Sequence, residues 1–170
     1  MGAEKKKQKN VFGLLAALVV TLLGGVLFVG AVSGWFSNVA VVLDTEYYCD
    51  ESCNSEMMEL SGAEYERLIA ERKSFVVFID QGGCTTADRL KGYMKDYAME
   101  AGVKVYRMMF ADARETSLHE YVKYYPSVAV VSKGKVVAWL RADSDEDAGY
   151  YNDYEAFKKW ARGVVVEKSK

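Results

Sequence analysis

The sequence predicts an α/β domain with a central mixed sheet and helices on both faces, preceded by one N-terminal transmembrane helix. Three observations support this prediction. A long uncharged run lies near the start, apolar runs typical of buried strands alternate with helical periodicity, and the last two strand-like runs flank a short turn. The 170 residues suffice for one ordinary domain with an appendage, and 13% aromatic residues argue against a disordered chain.

The first 33 residues divide into a basic tail, 1–10, and a predicted transmembrane helix, 11–33. The tail holds four lysines and one glutamate, and the run Val11–Val32 has no charged residue. As a helix this run is roughly 33 Å long, enough to cross a hydrocarbon core of about 30 Å. It exceeds the apolar region of a cleaved signal peptide, about 7–15 residues, which favours an uncleaved anchor.

The charge distribution predicts how this anchor is oriented. After Ser33 the chain holds 18 Lys and Arg against 23 Asp and Glu. The basic tail is therefore expected in the cytoplasm and the acidic remainder outside it, as in a single-pass protein of the cell membrane. An acidic domain without clustered lysines also argues against nucleic acid as a partner.

Residues 34–56 are interpreted as a juxtamembrane segment that contains Cys49 and Cys53. Disulfides persist outside the cytoplasm, and three cysteines leave one unpaired, so the favoured interpretation pairs Cys49 with Cys53 and leaves Cys84 free. Two other interpretations stay open: these cysteines resolve an adduct on Cys84, or they attach a metal or a lipid. Zinc needs more ligands than this segment offers, and the only histidine, His119, is distant and is interpreted as a helix-surface residue.

The domain itself is predicted over 57–167. Its first half is predicted to contain a strand, a helix and a second strand. Residues 57–60 suit a short strand. Residues 61–64 have the spacing of a capping box, and apolar residues follow at helical intervals. Residues 75–79 form a continuous apolar run rich in β-branched and aromatic residues, which predicts a strand buried on both faces.

The second half continues the alternation and ends in a hairpin and a helix. Helical spacing runs from 86 to 101 and stops at Gly102, and a strand is predicted over 103–110. A short helix starting at Ser117 comes next. The remaining elements are strands at 128–131 and 136–140 around a turn at 132–135, and a last helix that contains 154–161.

Four features together suggest a known family. They are the buried strand FVVFID, a cysteine that opens the next helix in GGCTTADRLKGYM, the motif YPSVAVV about forty residues later, and a Lys-Gly-Lys turn before the last helix. From about Met57 to Val165 the chain resembles a thioredoxin domain. The resemblance implies a thioredoxin-like three-layer fold and a cis peptide bond at Tyr125–Pro126, beside Cys84. It implies no cofactor.

The motif departs from the family pattern at its second cysteine. Where the family has C-x-x-C, this chain has Cys84, Thr85, Thr86 and Ala87, so a two-cysteine redox cycle inside the motif is chemically excluded. The family's buried strand carboxylate is replaced by Phe78. A thiol at a helix N-terminus is favoured in its thiolate form, and the two threonine hydroxyls are candidate donors to it.

The resemblance therefore implies monothiol disulfide exchange by Cys84 on exported thiol-containing proteins or on a membrane partner. Thr85, Thr86, Tyr125 and Pro126 are the residues expected to contact the substrate. The alternative is that Cys84 only fills space at the helix start. In that case the domain is a non-catalytic binding or scaffold module at the cell surface.

An acidic stretch near the end of the domain is the remaining candidate site. Asp143, Asp145 and Asp147 resemble the start of a calcium loop, but an EF-hand needs glycine where Ala148 stands and glutamate where Tyr154 stands. We therefore interpret the stretch as a solvated loop and expect no metal site.

Overall fold

A five-stranded mixed sheet organises residues 40–49 and 56–168, the part of the chain that the computed structural model describes. The order across the sheet is β1-β3-β2-β4-β5. The first three of these are mutually parallel, and β4 runs antiparallel to both of its neighbours. The strands are β1 Met58–Glu59, β2 Phe75–Asp80, β3 Tyr106–Met109, β4 Ser127–Ser132 and β5 Lys135–Trp139.

Helices pack against this sheet and cover the central strand β2, which is buried at all six positions. This arrangement confirms the predicted mixed sheet with flanking helices. The α-helices are α1 Gly62–Ala70, α2 Thr85–Ala101, α3 Phe110–Ala113, α4 Ala148–Asn152 and α5 Tyr154–Val164; two short 3₁₀ helices span Thr45–Tyr47 and Ser117–Glu120.

Local sequence signals explain where the main helices begin and end. The Ser61 hydroxyl accepts a hydrogen bond from the Glu64 N–H at 3.3 Å, so the predicted cap starts α1. Gly102 has φ 65°, the left-handed conformation that commonly terminates helices, and it ends α2 as predicted.

The β4–β5 turn is tight because two successive residues adopt positive φ. Lys133 has φ 50° and Gly134 has φ 75°. The Gly134 N–H donates to the Lys73 carbonyl at 2.9 Å, and a Cβ on this glycine would collide with the carbonyl oxygen of Ile69. Glycine is therefore required where the hairpin packs against the end of α1.

The domain begins earlier than residue 57, the boundary expected from the sequence. Val41 pairs with Val165 near the opposite end of the chain, and Leu43 and Tyr47 are buried in the core. Residues 40–49, interpreted as juxtamembrane, are thus part of the domain. Their contacts are with residues distant in the sequence, which local patterns do not reveal.

The predicted N-terminal segments, 1–10 and 11–33, lie outside the described residues, as does Cys53. Within the described part of the chain, none of the helices has both the length and the apolar character that crossing a membrane requires.

Candidate functional site

Cys84 is the N-cap residue of α2, which follows β2 after the loop 81–83. Its carbonyl accepts the Asp88 N–H at 3.0 Å, the first turn of hydrogen bonding in the helix. Gly83 before it has φ 82°, which glycine adopts without steric cost. Cys84 is a free thiol and is partly exposed. The Cys84 side chain makes no capping hydrogen bond to the first helical turn, and the residue is accessible to solvent.

A pocket of about 500 Å³ opens beside this cysteine. Ligand pockets in proteins commonly measure about 300–1,000 Å³, so the pocket is large enough for a ligand. It brings together Cys84, Thr86, Tyr125 and Pro126, as expected from the sequence. The rest of its lining comes from the loop after β5 and from α4: Ala142, Asp143, Ser144, Asp145, Ala148, Tyr151 and Asn152.

The two threonines after Cys84 differ in position. Thr86 lines the pocket, whereas Thr85 is exposed and does not line it. Among the described residues no hydrogen bond joins either threonine hydroxyl to Cys84, so the expected hydroxyl donors are not found there.

The opposite wall of the pocket is built around the Tyr125–Pro126 peptide bond, which is cis as expected. The Pro126 carbonyl accepts the hydroxyl of Tyr151 at 3.1 Å. Burial raises the pKa of Tyr151, so this hydroxyl stays protonated and remains a donor. The Tyr125 ring packs against Phe110, with ring centroids 4.8 Å apart. The sequence did not indicate this role of Tyr151, because no local pattern distinguishes it from the neighbouring tyrosines.

The acidic stretch is a largely exposed loop, and it also lines the pocket. Asp147 is buried and accepts the Arg141 backbone N–H at 2.8 Å and its Nε at 3.2 Å, which closes the loop on itself. Asp143 and Asp145 are exposed and line the pocket. Within the described ranges, there is no group of three or more His, Cys, Asp or Glu side chains that could hold a metal ion.

A smaller hollow of about 180 Å³ adjoins the pocket and shares Ala142 and Asp143 with it. The Tyr121 and Trp139 rings meet edge to face in its wall, with centroids 5.3 Å apart. Tyr124 also lines it and is 56% exposed. We refer to the pocket and this adjoining hollow together as the groove.

A cluster of charged residues centred on the buried Asp80 lies at the end of β2 that leads to Cys84. The Asp80 carboxylate accepts Arg107 Nε at 2.8 Å and lies 3.6 Å from the Lys91 ammonium on α2. Arg107 also donates to Glu59 at 2.9 Å. Through these contacts Asp80 links β2 to β3 and to α2, the helix whose N-cap is Cys84. Its partners are distant in sequence, which is why sequence reasoning missed it.

Cys49 lies at the other end of α2. Its N–H donates to the Gly102 carbonyl at 2.9 Å, directly after the C-terminus of that helix. The 17 residues of α2 span roughly 25 Å, whereas bridged cysteines have Cα atoms within about 7 Å. A bond between Cys49 and Cys84 is therefore incompatible with this fold. Cys49 is disulfide-bonded, and its pairing with Cys53 stays a prediction because Cys53 is not described.

His119 has no role in this arrangement. Its Nδ1 lies 3.1 Å from the Val122 carbonyl oxygen, and its ring contacts Phe110 with centroids 6.4 Å apart. It is partly buried, less exposed than the surface position expected for it.

Comparison with known proteins identifies the fold. No protein-family model matches the chain, and no curated protein sequence matches it. Among solved structures, a point mutant of thioredoxin from Halobacterium salinarum is 12% identical with a TM-score of 0.52, over 71% of this chain and 100% of that one. Thioredoxin from Trypanosoma brucei brucei is 13% identical, with a TM-score of 0.49 over 66% of this chain and 94% of that one. Mitochondrial thioredoxin 3 from Saccharomyces cerevisiae is 12% identical, with a TM-score of 0.49 over 66% of this chain and 100% of that one.

At these identities the likeness concerns the fold. The match to the Halobacterium protein spans that whole chain. The chain has a thioredoxin-like fold.

Proposed function

We propose that this chain is a membrane-anchored, extracytoplasmic protein that exchanges disulfides of exported proteins through the single cysteine Cys84. The observation that supports it is a free, partly exposed thiol at the N-terminus of a 17-residue helix, facing a pocket of about 500 Å³. A free thiol that opens onto a pocket can supply the thiolate that acts as nucleophile in disulfide exchange. The pocket supplies room for the substrate chain around the reacting sulfur.

The exchange consists of two displacements at sulfur. The Cys84 thiolate attacks one sulfur of a substrate disulfide, a bond forms between these two sulfurs, and the other substrate sulfur leaves as a thiolate. A second thiolate then attacks the substrate sulfur of this mixed disulfide, and Cys84 leaves as a thiolate. Each step breaks one S–S bond and forms another, so no oxidant or reductant is consumed.

The second thiolate has to come from outside the motif. Ala87 takes the position of the second cysteine and is buried, 1% exposed. Cys49 is at the far end of α2. The resolving group is therefore the substrate's own second cysteine or a small-molecule thiol, and the chemistry is isomerisation or monothiol exchange rather than net dithiol oxidation.

The location is proposed from the sequence. The uncharged run Val11–Val32 acts as the anchor, with the lysine-rich tail 1–10 in the cytoplasm. The domain then lies on the outer side of the membrane, where disulfides form and need rearrangement.

One labelling experiment tests both the thiol and its location. Cells that express the full chain are treated with a membrane-impermeant peptide whose single cysteine carries a pyridyl disulfide, and the chain is then digested for mass spectrometry. We expect one peptide joined to Cys84 in intact cells, with release of pyridinethione, and no such adduct in Cys84→Ser.

The outcomes separate the parts of the proposal. An adduct that forms only after lysis contradicts the extracytoplasmic location. No adduct before or after lysis contradicts the exchange function, and the non-catalytic binding module is then the better account of the pocket.

A further inference from the structure

Two carboxylates in the pocket beside Cys84 have no partner of opposite charge. Asp143 and Asp145 both line the pocket, and among the described residues neither side chain forms an ion pair or a hydrogen bond. The pocket lining contains no lysine, arginine or histidine. The lining of the pocket that contains Cys84 therefore carries negative charge that no lining cation compensates.

Three cations lie around the pocket without lining it: Arg141 and Arg89 are paired with other groups, and Lys123 lines the adjoining smaller hollow. Arg141 donates to Glu146 at 2.7 Å and to Asp147 at 3.2 Å, so its charge compensates these two carboxylates. The Arg89 guanidinium donates to Asn152 at 2.7 Å at the edge of the pocket, and Asp88 beside it in α2 carries the opposite charge. Neither arginine pairs with Asp143 or Asp145.

The shape of the site suits an extended peptide segment. The pocket that contains Cys84 and the smaller hollow that contains Tyr121 and Trp139 share Ala142 and Asp143 in their linings. A peptide that presents a disulfide sulfur to Cys84 and extends from the pocket into the hollow therefore comes close to Asp143.

We infer that Asp143 and Asp145 are specificity-determining residues that select peptide substrates with a lysine or arginine beside the disulfide-bonded cysteine. This inference rests on the proposed exchange function of Cys84. The acidic pair attracts the basic side chain and repels an acidic one, which acts mainly on the rate of association and on the choice of partner.

The test compares two peptides that differ only in charge. Each has one cysteine, activated as a pyridyl disulfide and flanked by two lysines or by two glutamates. The full chain in non-ionic detergent reacts with each, and the released pyridinethione gives the second-order rate constant. We expect the lysine peptide to react about 10-fold faster at low salt. The ratio is expected to fall towards one near 1 M salt, where the Debye length is about 3 Å.

Two double variants assign this preference to its residues. Asp143→Asn with Asp145→Asn is expected to bring the ratio of rate constants close to one. Asp96→Asn with Glu155→Gln removes the same charge from exposed positions outside the pocket and is expected to retain most of the preference. A neutral dithiodipyridine measures the intrinsic reactivity of Cys84 in every variant.

The results distinguish this inference from the proposed function. Equal rates for the two peptides, with normal reaction of dithiodipyridine, overturn the inference and leave disulfide exchange standing. A preference that survives loss of Asp143 and Asp145 also overturns it. No reaction with either peptide or with dithiodipyridine overturns the proposed function itself.

Discussion

Replacing Cys84 with serine is expected to abolish catalysed disulfide exchange by this chain. A serine hydroxyl at this position forms no mixed disulfide, and no other described thiol reaches the pocket, because Cys49 is disulfide-bonded at the far end of α2. The measurement is the turnover of a peptide disulfide with glutathione, catalysed by the full chain in detergent. Turnover by Cys84→Ser is expected to equal the uncatalysed rate.

Two checks make this result specific. Cys84→Ala excludes any residual contribution of the serine hydroxyl, and it is expected to be as inactive as Cys84→Ser. The free energy of unfolding of both variants is expected to stay within about 1 kcal/mol of the original, since Cys84 is only partly buried and its side chain makes no capping hydrogen bond. Turnover that persists in either variant contradicts a mechanism based on Cys84.

Replacing Asp80 with asparagine is expected to lower the free energy of unfolding by about 2 kcal/mol. The Asp80 side chain is 4% exposed, and its carboxylate faces the Arg107 guanidinium at 2.8 Å and the Lys91 ammonium at 3.6 Å. Hydrogen bonds to charged groups contribute about 1.5–3 kcal/mol. The Arg107 and Lys91 side chains are 23% and 31% exposed, so their charges stay partly hydrated after the substitution, and Arg107 keeps its contact with Glu59. The expected loss therefore lies within this range.

Urea unfolding of the full chain in detergent, followed by tryptophan fluorescence, measures this loss. Glu59→Gln is the matched control because it removes the other carboxylate that pairs with Arg107, at 2.9 Å, from a side chain that is 68% exposed. Exposed pairs contribute about 0–1 kcal/mol, so the control is expected to lose less than about 1 kcal/mol. Equal losses in the two variants contradict the role assigned to Asp80.

Features with local causes were predictable from the sequence. The capping serine of α1, the glycine that ends α2 and the positive-φ turn of the hairpin each depend on a few neighbouring residues. The run of apolar residues in β2 predicted its burial on both faces, and the resemblance to the thioredoxin domain predicted the cis bond at Tyr125–Pro126.

Features that depend on contacts between distant residues were not predictable in this way. Asp80 and Arg107 are 27 residues apart, and Tyr151 and Pro126 are 25 apart. Asp143 and Asp145 have the composition of an ordinary surface loop, and only the fold places them beside Cys84. The sequence therefore identified Cys84 as the candidate reactive residue, whereas the charge and shape of its pocket required the structure.

The most direct measurement of the central claim is a crystal structure of the chain joined through Cys84 to a cysteine peptide by a mixed disulfide. We expect an S–S bond from Cys84 to the peptide, with the peptide backbone in the groove between Tyr125 and Asp143. A peptide that attaches to another sulfur, or that is bonded to Cys84 but lies outside this groove, would contradict the account.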